Sequence, residues 1–250
     1  MKERMDKNEL ILQNLFGINR PKNRPLTAYL SVKNQTVLSL FVFDPRNVKN
    51  HRRYDITNVS DFVKNLEDFC KQNVGVFILN VFDFNHPDFP HNIVFCQELI
   101  QTLSLNFMAF HFVTNEIVTF TSLLIAANIT PKIANDILII TVQENSLNVV
   151  ELQGFNEWWI VKRKIVSCEE DENDPKKLCS EILEDVTPLK IIILNMKSTP
   201  KRDKTVETLK ATLPSKMLLV FEKFKWDACK TVQEFTKSCQ NLDSRTPSPP

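Results

Sequence analysis

Apolar residues along the chain form two patterns, short continuous runs and positions repeated at helical spacing. Residues 26–32 and 36–43 are rich in β-branched and aromatic residues and are separated by polar residues, which predicts a hairpin. Residues 74–82 form an almost continuous apolar run, typical of a strand buried on both faces of a parallel sheet. Between these runs, apolar residues from Val59 to Cys70 recur at helical spacing. The chain is therefore predicted to be an α/β protein.

The predicted elements follow one another in an order that occurs twice. Each half has three strands, a helix and then two strand–helix pairs, and matching elements lie about 110–116 residues apart. The predicted strands are 26–32, 36–43, 53–57, 74–82, 107–113, 136–142, 147–153, 158–166, 190–194 and 217–221. The predicted helices lie within 59–70, 93–103, 117–127, 178–183, 206–213 and 232–239. The repeat predicts two similar lobes that face each other, and a single doubly wound sheet remains the alternative.

The repeat also sets the predicted domain limits. The first lobe is expected over residues 26–130 and the second over residues 131–240. Residues 1–25 are polar and basic around a short apolar piece, and they are expected to form a lead-in segment. Residues 241–250 are rich in proline and serine, cannot build a core and are expected to be disordered.

Composition and charge exclude several classes of function. The 31 Lys and Arg residues balance 30 Asp and Glu residues, so no whole-chain attraction to nucleic acid or to an anionic membrane is expected. The three glycines exclude motifs that need several neighbouring glycines, such as the P-loop, the dinucleotide fingerprint and the glycine-rich loop of kinases. The six cysteines include no Cys-x-x-Cys pair, so neither a zinc site nor a redox motif is expected.

The N-terminus and the apolar runs predict the compartment. The first residues contain no apolar segment of the kind that a secretory signal needs. No uninterrupted apolar run approaches the roughly 18 residues that indicate a transmembrane helix. An intracellular protein, cytoplasmic or nuclear, with reduced thiols and no membrane partner is therefore expected.

The duplicated order resembles the ribonuclease H-like lobes of the actin-like ATPase superfamily. From Val76 to Leu152 the sequence also resembles the ATPase domain of the seventy-kilodalton heat-shock chaperones. Leu105–Met108 is similar to that family's Gly-Leu-Asn-Val segment, and Val113–Glu116 is similar to its Ile-Asn-Glu-Pro connector. Residues 190–210 resemble its adenosine-contacting strand and helix, including a Ser-Thr pair. The resemblance implies two facing ribonuclease H-like lobes of actin-like ATPase architecture with reduced subdomain insertions.

The phosphate loops of that family are not preserved in this sequence. The family's Asp-Leu-Gly-Gly-Gly-Thr-Phe-Asp loop corresponds to Thr141–Asn148, which contains neither glycine nor aspartate. The first phosphate loop corresponds to Ser31–Gln35, and the Gly-Gly of the adenosine motif falls within Asn195–Lys197, again without glycine. Glycine lets backbone N–H groups approach phosphate closely, and aspartates hold Mg²⁺. Glu144 would repel a triphosphate, and Lys33 alone does not rebuild a metal site.

The resemblance therefore implies a degenerate nucleotide cleft. The residues expected to line this cleft are Ser31, Lys33, Asn115, Glu116, Thr141, Gln143, Glu144, Asn145, Asn148, Asn195, Ser198 and Thr199. No catalytic residue, no metal ligand and no cofactor is expected. ATP with Mg²⁺ is expected only if an atypical nucleotide site survives.

The predicted function is that of a non-catalytic pseudo-ATPase of heat-shock-chaperone type, which binds protein partners as an interaction or scaffold module. One alternative is an ATP-binding chaperone or co-chaperone with an atypical nucleotide site. A second alternative is a nucleic-acid-binding adaptor that uses the basic residues within 46–53, although nucleic acid is not the expected partner. Among the residues that precede a proline, three are predicted as proline-directed phosphorylation sites: Thr199, Thr246 and Ser248.

Overall fold

The computed structural model describes residues 25–71, 74–130, 135–154, 158–168, 175–222 and 224–243. The first elements are β1 (Leu26–Asn34), β2 (Val37–Asp44), β3 (Asn47–Ile56), α1 (Val59–Lys64), α2 (Leu66–Lys71), β4 (Val74–Asn80), α3 (Asn92–Leu105), β5 (Ala109–Phe112) and α4 (Asn115–Ala126). They are followed by β6 (Asn135–Val142), β7 (Ser146–Gly154), β8 (Trp158–Ser167), α5 (Pro175–Leu183), β9 (Lys190–Asn195), α6 (Pro200–Thr212), β10 (Leu218–Glu222) and α7 (Ala228–Asp243). Of the helices in these ranges, none has both the length and the apolar character that crossing a membrane requires.

The strands form two five-stranded sheets with the same order. The first sheet is β3-β2-β1-β4-β5, and the second, read from the corresponding edge, is β8-β7-β6-β9-β10. In each sheet the first three strands of the repeat are antiparallel neighbours, whereas the last two strands run parallel to the first. This ribonuclease H-like order, present twice, confirms the predicted α/β fold with two ribonuclease H-like lobes.

The chain divides into two compact units that interleave along the sequence. One unit comprises residues 1–121 together with 227–250, and the other comprises residues 122–226. The limits expected from the sequence, 26–130 and 131–240, follow chain order. The units do not follow chain order, because α7 comes after the second sheet in sequence and packs in the first unit.

The first sheet is buried on both faces by side chains that alternate along its strands. On one face, Leu30 of β1 belongs to a cluster with Phe69 of α2 and Leu99 of α3. On the other face, Tyr29 of β1 belongs to a cluster with Phe235 of α7. Because successive strand residues face opposite sides of a sheet, neighbouring residues of β1 enter different clusters. The central strands must therefore be apolar on both faces, which explains their continuous apolar runs.

The second sheet has the same two-sided burial. Leu138 and Ile140 of β6 pack with Ile182 of α5 and Leu209 of α6 on one face. Ile139 lies between these two β6 residues, points to the opposite face and is also completely buried. The apolar runs that predict β6 and β9 thus reflect their central positions in the sheet.

Two elements differ from the sequence prediction. The third strand, predicted over 53–57, runs from Asn47 to Ile56. Its first residues are polar and lie in an edge strand, where hydrophobicity gives no signal. The helix predicted from Val59 to Cys70 is divided at Asn65, whose side chain donates a hydrogen bond to the carbonyl of Asp61 at 2.8 Å. This side-chain bond ends α1 by capping its last turn.

Three non-glycine residues in the described ranges have a left-handed backbone, with φ of 52°, 54° and 45°: Phe107, Asn128 and Glu184. Phe107 follows α3, where its N–H donates to the carbonyl of Ser104 at 3.1 Å and the N–H of Met108 donates to the carbonyl of Leu103 at 3.0 Å. This is a Schellman ending, in which the left-handed position favours glycine or asparagine. The Phe107 ring is 96% exposed, so the conformation is strained without burial of the ring.

We expect Phe107→Gly to be more stable than Phe107→Ala by about 1 kcal/mol. Both variants lose the ring, but only glycine removes the Cβ that crowds the left-handed backbone. Chemical denaturation followed by circular dichroism measures the difference. The control is the same pair of substitutions at Gln97, an exposed position inside α3, where alanine should be the more stable residue. The same sign at both positions would contradict strain at Phe107.

Gly75 is required by a close approach between β4 and the residue before β1. A Cβ built on Gly75 would lie 2.4 Å from the Cβ of Pro25, far inside the contact distance of two carbon atoms. The β1–β4 register is irregular at this point, between Leu26 and Thr27. The two segments cannot move apart without disturbing the pairing of β1 with β4.

Gly75→Ala is therefore expected to destabilise the first unit by about 1–3 kcal/mol, the usual cost of overpacking. Pro25→Gly removes the atom that the new methyl group would meet. The cost of Gly75→Ala should accordingly fall in a Pro25→Gly background, and a double-mutant cycle of unfolding free energies measures this coupling. An unchanged cost in that background would show that the clash is not the cause.

Candidate functional site

Polar side chains gather where β1 and β4 end, in the first unit. Because the two strands are parallel, with Ser31 opposite Asn80, their last residues lie at the same edge of the sheet. Asn80 donates hydrogen bonds from Nδ2 to Tyr29 Oη at 3.1 Å and to Asn115 Oδ1 at 2.7 Å. Asn115 donates in turn from Nδ2 to Asp83 Oδ2 at 2.5 Å. The predicted residue Asn115 thus belongs to a hydrogen-bond network that joins the start of α4 to the end of β4.

This network is mainly neutral. Burial raises the pKa of Tyr29, an effect that the hydrogen bond from Asn80 opposes, so the phenol keeps its proton at physiological pH. Asp83 supplies a carboxylate, and that carboxylate already accepts a hydrogen bond from Asn115. Mg²⁺ in nucleotide sites is usually bound through one or two carboxylates and the substrate phosphates. In this network Asp83 is therefore the one carboxylate beside the amides of Asn80 and Asn115 and the phenol of Tyr29.

The other predicted residues of the first unit have separate contacts. Ser31 Oγ donates to the carbonyl of Ser39 at 3.5 Å. Lys33 forms an ion pair with Asp55 of β3, with Nζ and Oδ2 2.5 Å apart. Glu116 lies half-buried in the first turn of α4. The positive charge that Lys33 would offer to a phosphate is thus engaged by a carboxylate.

The turn between β6 and β7 meets the start of α6 in the second unit. Since β6 and β9 are parallel, with Thr141 opposite Leu194, the segments that follow these strands lie side by side. Within the turn, the N–H of Gln143 donates to the carbonyl of Ser146 at 2.9 Å. Thr141 pairs directly with Asn148 across the hairpin. The segment predicted as a degenerate phosphate loop therefore forms a regular hairpin with side chains at its tip.

Side chains of this turn contact the first turn of α6. Glu144 accepts a hydrogen bond from Arg202 Nε at 3.2 Å, and each of its carboxylate oxygens lies 3.4 Å from Thr199 Oγ1. Thr199 is the N-cap of α6, and its Oγ1 also accepts from the N–H of Arg202 at 3.3 Å. Asn145 Oδ1 accepts from Lys201 Nζ at 2.9 Å. A carboxylate of the protein itself thus lies at the positive end of α6.

Asn195 and Ser198 both bind the aspartate of the first turn of α6. Asn195 Nδ2 donates to Asp203 Oδ1 at 3.0 Å, and Ser198 Oγ donates to Asp203 Oδ2 at 2.6 Å. Asn195 is 2% exposed, and its Oδ1 has no hydrogen-bond partner in the described part of the chain. A pocket of about 170 Å³ opens beside these residues and is also lined by Glu207 and Glu222. Carboxylates therefore dominate the charge of this pocket.

The structure brings some predicted residues together in each unit and adds partners that were not predicted. The contacting residues not predicted from the sequence are Tyr29, Asn80, Asp83, Lys201, Arg202 and Asp203. Two sequence signals point to them. Pro200 after Thr199 marks the start of a helix, whose charged first turn follows directly. Asn80 is a polar residue inside the apolar run 74–82.

The described residues can be compared with the sequence predictions about metal ligands and phosphorylation sites. Within those ranges, no three His, Cys, Asp or Glu side chains are grouped so that they could hold a metal ion. Thr199 is a half-buried helix cap. The other two predicted phosphorylation sites, Thr246 and Ser248, lie outside the described residues.

Known proteins resemble the chain in fold and not in sequence. No protein-family profile and no curated protein sequence matches it. A crystal structure of an uncharacterized protein with similarity to peptidase YeaZ, from Pseudomonas aeruginosa, matches 87% of this chain and 93% of its own at 7% identity, with a TM-score of 0.43. A Bacteroides thetaiotaomicron protein with an actin-like ATPase fold matches 85% of this chain and 97% of its own at 8% identity, with a TM-score of 0.39. A ROK family transcriptional regulator, a homolog of the E. coli MLC protein, matches 94% of this chain and 83% of its own at 10% identity, with a TM-score of 0.49. The description of the fold rests on the duplicated sheet order of the chain itself. At identities of 7–10%, these structures do not assign an activity to this chain.

Proposed function

We propose that the chain is a pseudo-ATPase, related to the ATPase domain of seventy-kilodalton heat-shock chaperones, which binds other proteins and does not hydrolyse ATP. The observation that carries the proposal is the contact of Glu144 with Thr199 and Arg202 at the start of α6. In the family that the sequence resembles, the turn after this strand holds phosphate. Here the same turn carries a negative charge of its own, directed at the helix end that would favour an anion.

A phosphate brought to this turn would be repelled. Two like charges about 4 Å apart near a protein surface repel by roughly 4 kcal/mol. The two cations that would otherwise attract the phosphate are engaged, Arg202 by Glu144 and Lys201 by Asn145. Phosphate binding would therefore require Glu144 to leave the start of α6 and its ion pair with Arg202 to break.

The pocket beside α6 also disfavours a nucleotide. Three of its lining residues are acidic, namely Asp203, Glu207 and Glu222. Lys210 reduces this charge through ion pairs with Glu207 at 2.8 Å and Glu222 at 3.4 Å. Asp203 already accepts hydrogen bonds from neighbouring side chains. The donors that a magnesium-bound nucleotide would need are thus used within the protein, so the side chains of this unit do not fit that cofactor.

A role in binding proteins is supported by large apolar side chains on the surface. In the first unit Ile93, Leu105 and Phe107 are each more than half exposed. In the second unit the same holds for Trp159 and Ile165. Grouped apolar residues on a protein surface usually mark contacts with other molecules, and aromatic residues are enriched at the centres of protein interfaces.

The first test of this proposal is nucleotide binding. A site with a Kd of about 10 µM would stabilise the protein by about 2.7 kcal/mol at about 1 mM ligand, because only the native state binds. We expect no rise in Tm with Mg-ATP or Mg-ADP at that concentration, and no heat of binding in isothermal titration. Micromolar affinity would contradict the proposal and favour the ATP-binding chaperone instead.

The second test removes the charge of Glu144. Glu144→Gln should lower stability by no more than about 1 kcal/mol, because the Glu144 side chain is half exposed to water and its ion pair is screened there. It should also free Arg202 and the start of α6 for an anion, so inorganic pyrophosphate should raise the Tm of this variant more than that of the unaltered protein. Sodium chloride at equal ionic strength controls for screening.

The matched control for this test is Glu184→Gln. Glu184 is also an exposed glutamate, and it pairs with Lys162 and Lys164 of β8, away from the β6–β7 turn. Glu184→Gln frees two cations, whereas Glu144→Gln frees one. The comparison therefore separates a general gain of positive charge from an effect of the position of that charge. An equal response to pyrophosphate in the two variants would show that Glu144 has no special place at an anion position.

A further inference from the structure

An uncharged stripe runs along the exposed side of α3. Ile93 and Ile100 are separated by two helical turns and therefore lie on the same side of the helix, where they are 64% and 40% exposed. Gln97 and Ser104 are exposed on that side too. Phe107 lies two residues after the end of the helix and is 96% exposed. These five residues are named the α3 stripe.

The lack of charge distinguishes α3 from the described helices other than α4, which also has one charged residue. Of its 14 residues, Glu98 is the one that carries a charge, and helical geometry places it about 160° around the helix from Ile100. By contrast, α6 has six charged residues among its 13. Because a surface helix normally presents charged and polar residues to water, an uncharged exposed stripe indicates contact with another apolar surface.

Phe107 supports the same inference independently. Its backbone is left-handed, with φ of 52°, and its ring is almost completely exposed. Asn128, which follows α4 with φ of 54°, has a residue type that this position favours. A phenylalanine in such a position is strained and gains no burial within the first unit. Local strain of this kind is typical of residues that act in binding.

We propose that the α3 stripe binds the α3 stripe of a second copy of this chain in an antiparallel, two-fold symmetric contact. Ile93 and Phe107 lie at equal sequence distances on either side of Ile100. In an antiparallel contact centred on Ile100, the segment after each helix, which contains Phe107, therefore lies beside the start of the other helix, which contains Ile93. Because the contact is isologous, the stripe must be complementary to itself. It meets this condition, since the stripe contains no charge and Glu98 points away.

The size of the stripe indicates a weak contact. Its three apolar side chains expose roughly 300–400 Å² per copy, taking about 200 Å² for a phenylalanine and slightly less for an isoleucine. A stable interface of standard size buries about 800 Å² per partner. The dimer is therefore expected to form with a Kd of roughly tens to hundreds of micromolar, which suits a contact that assembles and separates readily.

Sedimentation equilibrium of the full chain tests the contact. Between about 5 and about 500 µM, the average mass should rise from 29.0 kDa towards twice that value. Ile100→Asp should weaken the association by at least about tenfold, since it places two carboxylates on the axis. Ile165→Asp is the matched control, because Ile165 is 77% exposed and lies on β8. A mass of 29.0 kDa at the highest concentration, or equal effects of the two substitutions, would overturn the proposal.

Disulfide cross-linking tests the symmetry. Ile100→Cys should form a covalent dimer on mild oxidation, because the two Cβ atoms lie next to the axis. Ile93→Cys and Phe107→Cys should cross-link when the two variants are mixed and not when each is alone. The unaltered protein and Ile165→Cys measure the background from the native thiols and from random collision. Equal cross-linking at Ile100 and Ile165 would exclude the two-fold contact.

Phe107→Gly tests whether the Phe107 ring contributes to the dimer contact or has a role only at the end of α3. If the ring serves the dimer, the variant should associate several-fold more weakly, although its backbone strain is relieved. An unchanged association would remove Phe107 from the contact and overturn the pairing with Ile93. The α3 stripe belongs to the first unit, whereas Glu144 and the acidic pocket belong to the second unit, so failure of the dimer leaves the proposal about ATP standing.

Discussion

Parallel pairing of the first and fourth strands in each repeat is the interaction on which the rest of the structure depends. These strands are central and buried on both faces, as Ile139 of β6 and its partner Ile192 of β9 show. In β4 and β9, the buried polar side chains stand where the strands end. Asn80 and Asn195 are the last residues of β4 and β9, and both are buried. Each donates its amide to residues beyond the sheet, so the duplicated fold places an equivalent polar anchor in both units.

The fold and the chemistry of its strand ends rely on different residues of the same strands. The sheets are stabilised by burial of apolar surface, at about 25 cal/mol per Å², and this burial does not involve the turn at 143–145. The turn needs glycines and aspartates to hold a magnesium-bound phosphate, but it needs neither to close a hairpin. Side chains at the tip can therefore form contacts such as Glu144 with Arg202 while the sheet remains unchanged.

The sequence predicts the strands well and the contacts of the site only in part. Continuous apolar runs such as 74–82 identify central strands, because a strand that is buried on both faces needs apolar residues at successive positions. The spacing of Val232 and Phe235 shows that α7 has a buried face, but it does not show which sheet covers that face. Parallel pairing predicts that the segments after β6 and β9 meet. The pairing of Glu144 with Arg202, 58 residues away, depends on side-chain reach and direction, which spacing does not record.

Packing requires a glycine at position 75 and does not require one in the β6–β7 turn. Gly75 stands where a Cβ would meet Pro25 at 2.4 Å, a clash that the central β1–β4 pairing cannot relieve. Phe107 and Asn128 stand in left-handed positions without glycine, where the strain of about 1–2 kcal/mol is small beside the roughly 5–15 kcal/mol that stabilises a domain. Gly75 thus stands where the packing of the chain itself leaves no room for a side chain. The turn at 143–145 has no such constraint from packing, since its glycines would serve a bound phosphate, and side chains occupy it.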